Sequence, residues 1–94
     1  MRCDRVHFSA HAITRMFERS LSKENVMNVI HTGETISNYP EDKPYPSRLL
    51  LGYESDLPIH VVIARNNENY DCMVITAYRP SPTLWESNFK RRKS

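Results

Sequence analysis

Apolar residues in the first third of the chain recur at intervals of three and four; beyond Gly33 they come in short runs or alternate with polar ones. That change of period predicts helices first and strands afterwards. The segment SAHAITRMFERS predicts a helix capped by Ser9 and ending near Arg19 or Ser20, with Ile13, Met16, Phe17 and Ser20 as its packing stripe. Ser22 is placed to cap a second helix over Lys23–Thr32, which turns Val26, Met27, Val29 and Ile30 to the core and stops at Gly33. GETISNY reads as a short strand, and PEDKPYP, with Pro40, Pro44 and Pro46, as a loop. SRLLLGY, PIHVVIARN and YDCMVITAY read as three more strands, the last two forming a β-hairpin around NNEN. RPSP breaks the sheet, and Trp85 to Arg92 reads as a last helical turn or a docked tail. The expected fold is α+β, with two N-terminal helices packed on an antiparallel sheet of about four strands, in a single domain over 1–94 with a basic C-terminal tail.

Ninety-four residues can bury only a small core, so marginal stability is expected without a partner, metal or disulfide. No apolar run approaches the roughly 20 residues that span a bilayer. The N-terminus lacks the apolar centre of a signal peptide, which makes the cytoplasm the expected location. Cys3 and Cys72 stand far apart and outside any C-x-x-C pair, so two unpaired thiols in a reducing compartment fit best, with a structural disulfide between them as the alternative. The net charge of +2 is unevenly spread: residues 1–24 carry +2, residues 25–78 carry −4 and residues 79–94 carry +4. Such segregation suits one basic face and a polyanionic partner; a solvated tail kept for solubility explains Lys90–Lys93 equally well.

Two groups of residues carry candidate chemistry. On the first helix His11, Arg15, Glu18 and Arg19 fall within about a third of the circumference. They are either the parts for proton transfer beside a phosphate or a solvated face with ordinary charge pairs. His60 lies inside the third strand read here and Tyr78 and Arg79 end the fourth, where side chains open towards ligands. An odd turn between those strands sets His60 opposite Thr76 with Tyr78 diagonal on the same face; an even turn puts the pair on opposite faces. His60 is otherwise a core histidine satisfied by one hydrogen bond.

No metal site is expected, because the histidines and cysteines contain no C-x-x-C pair and no dense acidic cluster supplies hard ligands. Two glycines, Gly33 and Gly52, exclude a Gly-rich phosphate loop. Metal-free cleavage of RNA needs a base for the 2′-OH proton, an acid for the leaving 5′-oxygen and cations for the phosphorane charge. Histidines, arginines and stacking aromatics of the right kinds are all present.

The blocks FSAHAITRMFERSLSKENV, GETISNYPEDKPYPSRLLLG, PIHVVIA and ITAYRPSPTLWESNFKRR resemble, in that order, the bacterial domain-of-unknown-function family 4258, over about residues 7–92. That family looks like the small toxins of type II toxin–antitoxin modules, often encoded beside an antitoxin with a zinc finger and a DNA-binding domain. It is similar to the RelE-like ribonucleases in its two helices followed by an antiparallel sheet. Its helix motif falls on Ser9, His11, Arg15 and Arg19, its strand motif on His60, and its C-terminal motif on Tyr78, Arg79, Pro80 and Trp85. RelE-like enzymes vary in their catalytic residues, so the resemblance assigns no acid or base. Ser20 stands where a glycine often closes the first helix.

Residues and resemblance together predict a cytoplasmic, metal-independent endoribonuclease toxin without cofactor, cleaving mRNA free or on the ribosome and inhibited by a cognate antitoxin. His11 and His60 are expected to move protons and Tyr78 to orient substrate or relay a proton. Arg15, Arg19 and Arg79 are expected on phosphate, Trp85, Tyr78 or Phe89 on an unpaired base, and Lys90 and Arg91 in substrate binding. The alternatives are a non-catalytic module that binds RNA or an acidic protein through a basic surface, and a purely structural interaction protein.

Overall fold

Both helices begin where their capping serines stand. In the computed structural model, which describes residues 1–93, α1 runs Ala10–Glu18 and α2 Lys23–Thr32. Ser94, the last residue of the expected basic tail, lies outside the described residues. The Ser9 hydroxyl accepts from the Ala12 amide at 3.0 Å. Ser22 and Asn25 form a reciprocal capping box, satisfying amides that the helix itself leaves unpaired. After α1 the chain turns through Ser20, whose φ of 55° lies in the left-handed region. Leu21 N–H donates to the Met16 carbonyl and Ser20 N–H to that of Phe17, the bond pair of a Schellman stop.

Five strands form one sheet: β1 Arg5–Phe8, β2 Glu34–Tyr39, β3 Ser47–Glu54, β4 Leu57–Asn66 and β5 Asp71–Tyr78, in the order β1-β5-β4-β3-β2. The sheet is therefore mixed rather than antiparallel and has one strand more than expected: β1 lies parallel to β5, pairing Val6 with Cys72 and Phe8 with Val74. RVHF spans only 4 residues. Its alternation is the strand period, but four residues before a capping serine carry little signal by themselves.

Strand alternation divides the sheet into two faces. On the inner face Leu50, Ile59, Val61, Ile63, Cys72, Val74 and Ala77 pack with Ala12 and Met16 of α1 and Val26, Val29 and Ile30 of α2. Gly52 lets α2 approach, since a Cβ there would stand 2.7 Å from a Val29 methyl. The α1 stripe differs from expectation: Ala12 and Met16 are buried, whereas Ile13 is 46% and Phe17 86% exposed. Phe17 lies about 100° further round the helix than Met16, so a helix seated on Ala12 and Met16 turns it to solvent.

Cys3 and Cys72 form a disulfide, correcting the expectation of two unpaired thiols. Their 69-residue separation conceals a contact created by the unexpected β1, which carries the N-terminus to β5.

Candidate active site

The outer face of the sheet carries Leu49 and Leu51 of β3, His60 and Val62 of β4, and Thr76 and Tyr78 of β5, as their direct cross-strand pairing requires. The Asn66–Asp71 pair leaves four turn residues, an even number. An even turn alone would set His60 opposite Ala77 and send Tyr78 to the other face. A β-bulge prevents this: pairing passes from Ile63↔Val74 to Val62↔Thr76, leaving Ile75 unpaired, and His60 then stands directly opposite Tyr78. The bulge is tied to α1, because the Ser9 hydroxyl donates to the Ile75 carbonyl at 3.2 Å.

His60 is completely buried. Its Nε2 lies 2.8 Å from the Phe89 carbonyl oxygen; a carbonyl only accepts, so Nε2 carries the proton. Nδ1 is then the acceptor for the Tyr78 hydroxyl at 3.2 Å. Trp85 packs edge-on against the imidazole, ring centroids 4.5 Å apart. Burial holds the His60 pKa below the ordinary histidine value, opposed by the Phe89 hydrogen bond. Burial pushes the Tyr78 phenol up, helped by neighbouring Tyr39 and opposed by Arg92. At neutral pH the pair is thus a protonated phenol donating to a neutral imidazole. Phe89 has a φ of 58°, a conformation rare for bulky residues and associated with functional strain.

The segment after β5 is a docked strap rather than a helix. An isolated bridge joins Trp85 to Arg92, Lys90 pairs with Glu34 of β2 at 3.1 Å, and the Arg92 guanidinium lies 5.8 Å from the Trp85 ring centroid. Trp85 is buried on His60 rather than offered as an open stacking surface. Arg91 is exposed.

The arrangement separates residues that the sequence treats as one constellation. His60, Tyr78, Trp85, Lys90 and Arg92 gather on or over the outer face, while α1, with His11, Arg15 and Arg19, packs on the inner one. His11 and Arg19 are exposed, and Arg15 pairs with Glu18 at 3.2 Å. Arg79 donates to Glu54 at 2.7 Å, and Glu54 also accepts from Asn25 at the start of α2. Both bonds hold the Glu54 pKa below the usual carboxylate value, Arg79 foremost. The other Arg79 nitrogen, Nη1, is buried with no hydrogen-bond partner among the described residues. His7 and His11 are four residues apart but belong to β1 and α1, so this spacing does not define one helix face. Among the described residues no three His, Cys, Asp or Glu side chains converge as metal ligands. Sequence reasoning missed Tyr39, Arg92 as distinct from its basic neighbours, and the Phe89 carbonyl. Only the basic run at 90–93 signalled any of them, because the strap brings them together through space.

Two helices on one side of a five-stranded mixed sheet, with a histidine–tyrosine pair under a basic strap on the other, define a small α+β domain whose candidate chemistry lies opposite its helices. Residues 8–79, more than half of the chain, match the family described as Domain of unknown function (DUF4258). The chain belongs to that family. No curated protein and no solved structure matches it.

Proposed function

We propose that this protein is a metal-independent endoribonuclease of the toxin class, acting on mRNA, free or on the ribosome, through Tyr78 and His60. The observation that carries this reading is the hydrogen bond from the Tyr78 hydroxyl to His60 Nδ1, backed by the Phe89 carbonyl on Nε2. A phenol in this setting takes the 2′-OH proton of a ribose while passing its own to Nδ1. The 2′-oxygen attacks the adjacent phosphorus and the 5′-oxygen leaves, giving a 2′,3′-cyclic phosphate. The imidazolium so formed keeps its Nε2–H on the Phe89 carbonyl and returns the proton, through the re-formed phenol, to the leaving group. The lowered His60 pKa keeps Nδ1 available as acceptor, and the raised Tyr78 pKa keeps the phenol protonated until substrate arrives. Arg92 lies on the strap beside this pair, and it and the adjacent, exposed Arg91 suit the phosphate. His11, Arg15 and Arg19 become contacts for RNA or for the acidic segment of a cognate antitoxin. The reading assigns a RelE-like role and a cytoplasmic location, where thiols stay reduced; activity is therefore expected with Cys3 and Cys72 open as well as closed.

A second reading rests on the completeness of the His60 environment. A fully buried ring with both nitrogens satisfied is also a core histidine, and the chain is then an RNA- or acidic-protein-binding module. The test is cleavage of purified RNA and of ribosome-bound mRNA in EDTA. The nuclease reading expects cyclic-phosphate ends and a loss of about 100-fold or more in Tyr78→Phe with RNA affinity retained. Cleavage restored only by added Mg²⁺ would falsify this mechanism. Salt-dependent binding without cleavage in either setting leaves the binding module.

A further inference from the structure

Arg48 and Arg65 form a second concentration of positive charge, on the face opposite Tyr78 and His60. Arg48 stands across from Ile63 in β3–β4 pairing, and Arg65 lies two residues beyond Ile63 on β4. Both guanidinium groups therefore share the inner face. They line one cleft of about 260 Å³ with Asn38, Pro46 and Asn67, and no Asp or Glu lines it.

Three other arginines have carboxylate partners, Arg2 with Asp4, Arg15 with Glu18 and Arg79 with Glu54. Arg48 differs from the remaining ones without such a partner among the described residues, Arg5, Arg19, Arg91 and Arg92, in lining a cleft with a second arginine. Arg48 is partly buried and makes no hydrogen bond or ion pair through its side chain among the described residues. Arg65 is held in place from one side. Its Nε donates to Asn67 at 2.7 Å, its Nη1 to the Arg2 carbonyl at 3.2 Å, and its guanidinium carbon stands 5.3 Å from the Tyr70 ring centroid. Burial and the neighbouring Arg65 charge both disfavour the charged form of Arg48. Two like charges without an acid between them are unfavourable, and a bound anion removes that penalty. Asn67 uses its carbonyl oxygen on Arg65, which leaves its amide hydrogens as donors; Asn38 adds a second amide.

We propose that the Arg48–Arg65 cleft is a binding site for a phosphate-class oxyanion, gripped by Arg48 and the unengaged edge of the Arg65 guanidinium. The anion is either a phosphodiester of a nucleic-acid strand or a free phosphate. The site is separate from the Tyr78–His60 pair, so its test reads binding and not cleavage.

Side-chain Nε–H signals of the intact protein are followed by NMR as inorganic phosphate replaces chloride at constant ionic strength. The Arg48 and Arg65 signals shift and saturate. Arg48→Gln weakens phosphate roughly tenfold or more, as loss of a charged hydrogen-bonding partner implies, while Arg5→Gln, an equal charge change on exposed β1, leaves affinity unchanged. Phosphate raises the melting temperature of the parent chain but not of Arg48→Gln; Arg48→Lys, which keeps the charge without the fork, falls between. A short oligouridine identifies the source. Competition with phosphate for the same signals, with the salt slope reduced by about 0.7 in Arg48→Gln, assigns a nucleic-acid backbone; binding of phosphate alone assigns a free anion. Shifts that stay linear in phosphate, or equal weakening by Arg5→Gln and Arg48→Gln, overturn the proposal.

Discussion

Ser20 occupies the residue position after α1 that asks for φ above zero, and it does so at 55°. A side chain there costs roughly 1–2 kcal/mol, partly recovered because glycine would lose more entropy on folding. Ser20→Gly is therefore expected to raise stability by about 0.5–1 kcal/mol, measured as a higher urea midpoint at unchanged m-value. His60 supplies the second expectation at this scale. Its folded pKa is below its unfolded value, so the unfolded chain binds more protons in acid. The stabilisation from neutral His60 is fully present above about pH 6.5 and is lost as pH falls towards the folded value, with a slope of at most about 1.4 kcal/mol per unit. Denaturation at a series of pH values should show this decline in the parent chain and a shallower one in His60→Gln; equal slopes would refute the assignment. These residue-scale features were unevenly legible. Ser20 drew attention because a glycine often stands there in the resembling family, but no local pattern marks Phe89, whose role depends on a strap that folds back across the sheet.

The helices and all four expected strands were readable because each carries its own period and punctuation: Ser9, Ser22 and Gly33 around the helices, Pro40 to Pro46 and Asn66 to Asn69 around the strands. β1 escaped because its partner lies 66 residues away in the Arg5↔Asp71 pair. The face shared by His60 and Tyr78 depended on a parity the sequence left open, and the turn alone would have given the wrong answer. Ile75, a β-branched residue with nothing to mark it as a bulge, restores the pairing. Ser9 serves two elements at once, capping α1 and binding the bulge carbonyl. Ser9→Ala should therefore cost about 1.5 kcal/mol, a cap of about 1 plus part of a second hydrogen bond. The Tyr78 backbone resonances should move as the bulge relaxes. A loss confined to α1, with β5 resonances unchanged, would separate the cap from the bulge.

At the scale of the whole molecule, the disulfide weighs against the small core. Closing a loop of 69 residues' separation is worth about 4 kcal/mol in the chain-entropy account, a large part of the 5–15 kcal/mol typical of a domain. Reduction by dithiothreitol should lower the unfolding free energy by about that amount, and Cys3→Ser with Cys72→Ser should reproduce it; an unchanged midpoint would show that the crosslink contributes nothing. The bond also decides which parts of the molecule a mechanical load can reach. Tension between Met1 and the C-terminal strap passes from Cys3 directly to Cys72, bypassing both helices and β1 to β4, which sit inside the closed ring. Along the covalent path only β5 beyond Cys72 and the strap are stretched, and these hold Tyr78, Trp85 and Phe89. A pull on the chain would thus strain the β5 pairings with β1 and β4 and draw the cover and Tyr78 away from His60, while the backbone inside the ring stayed unstretched.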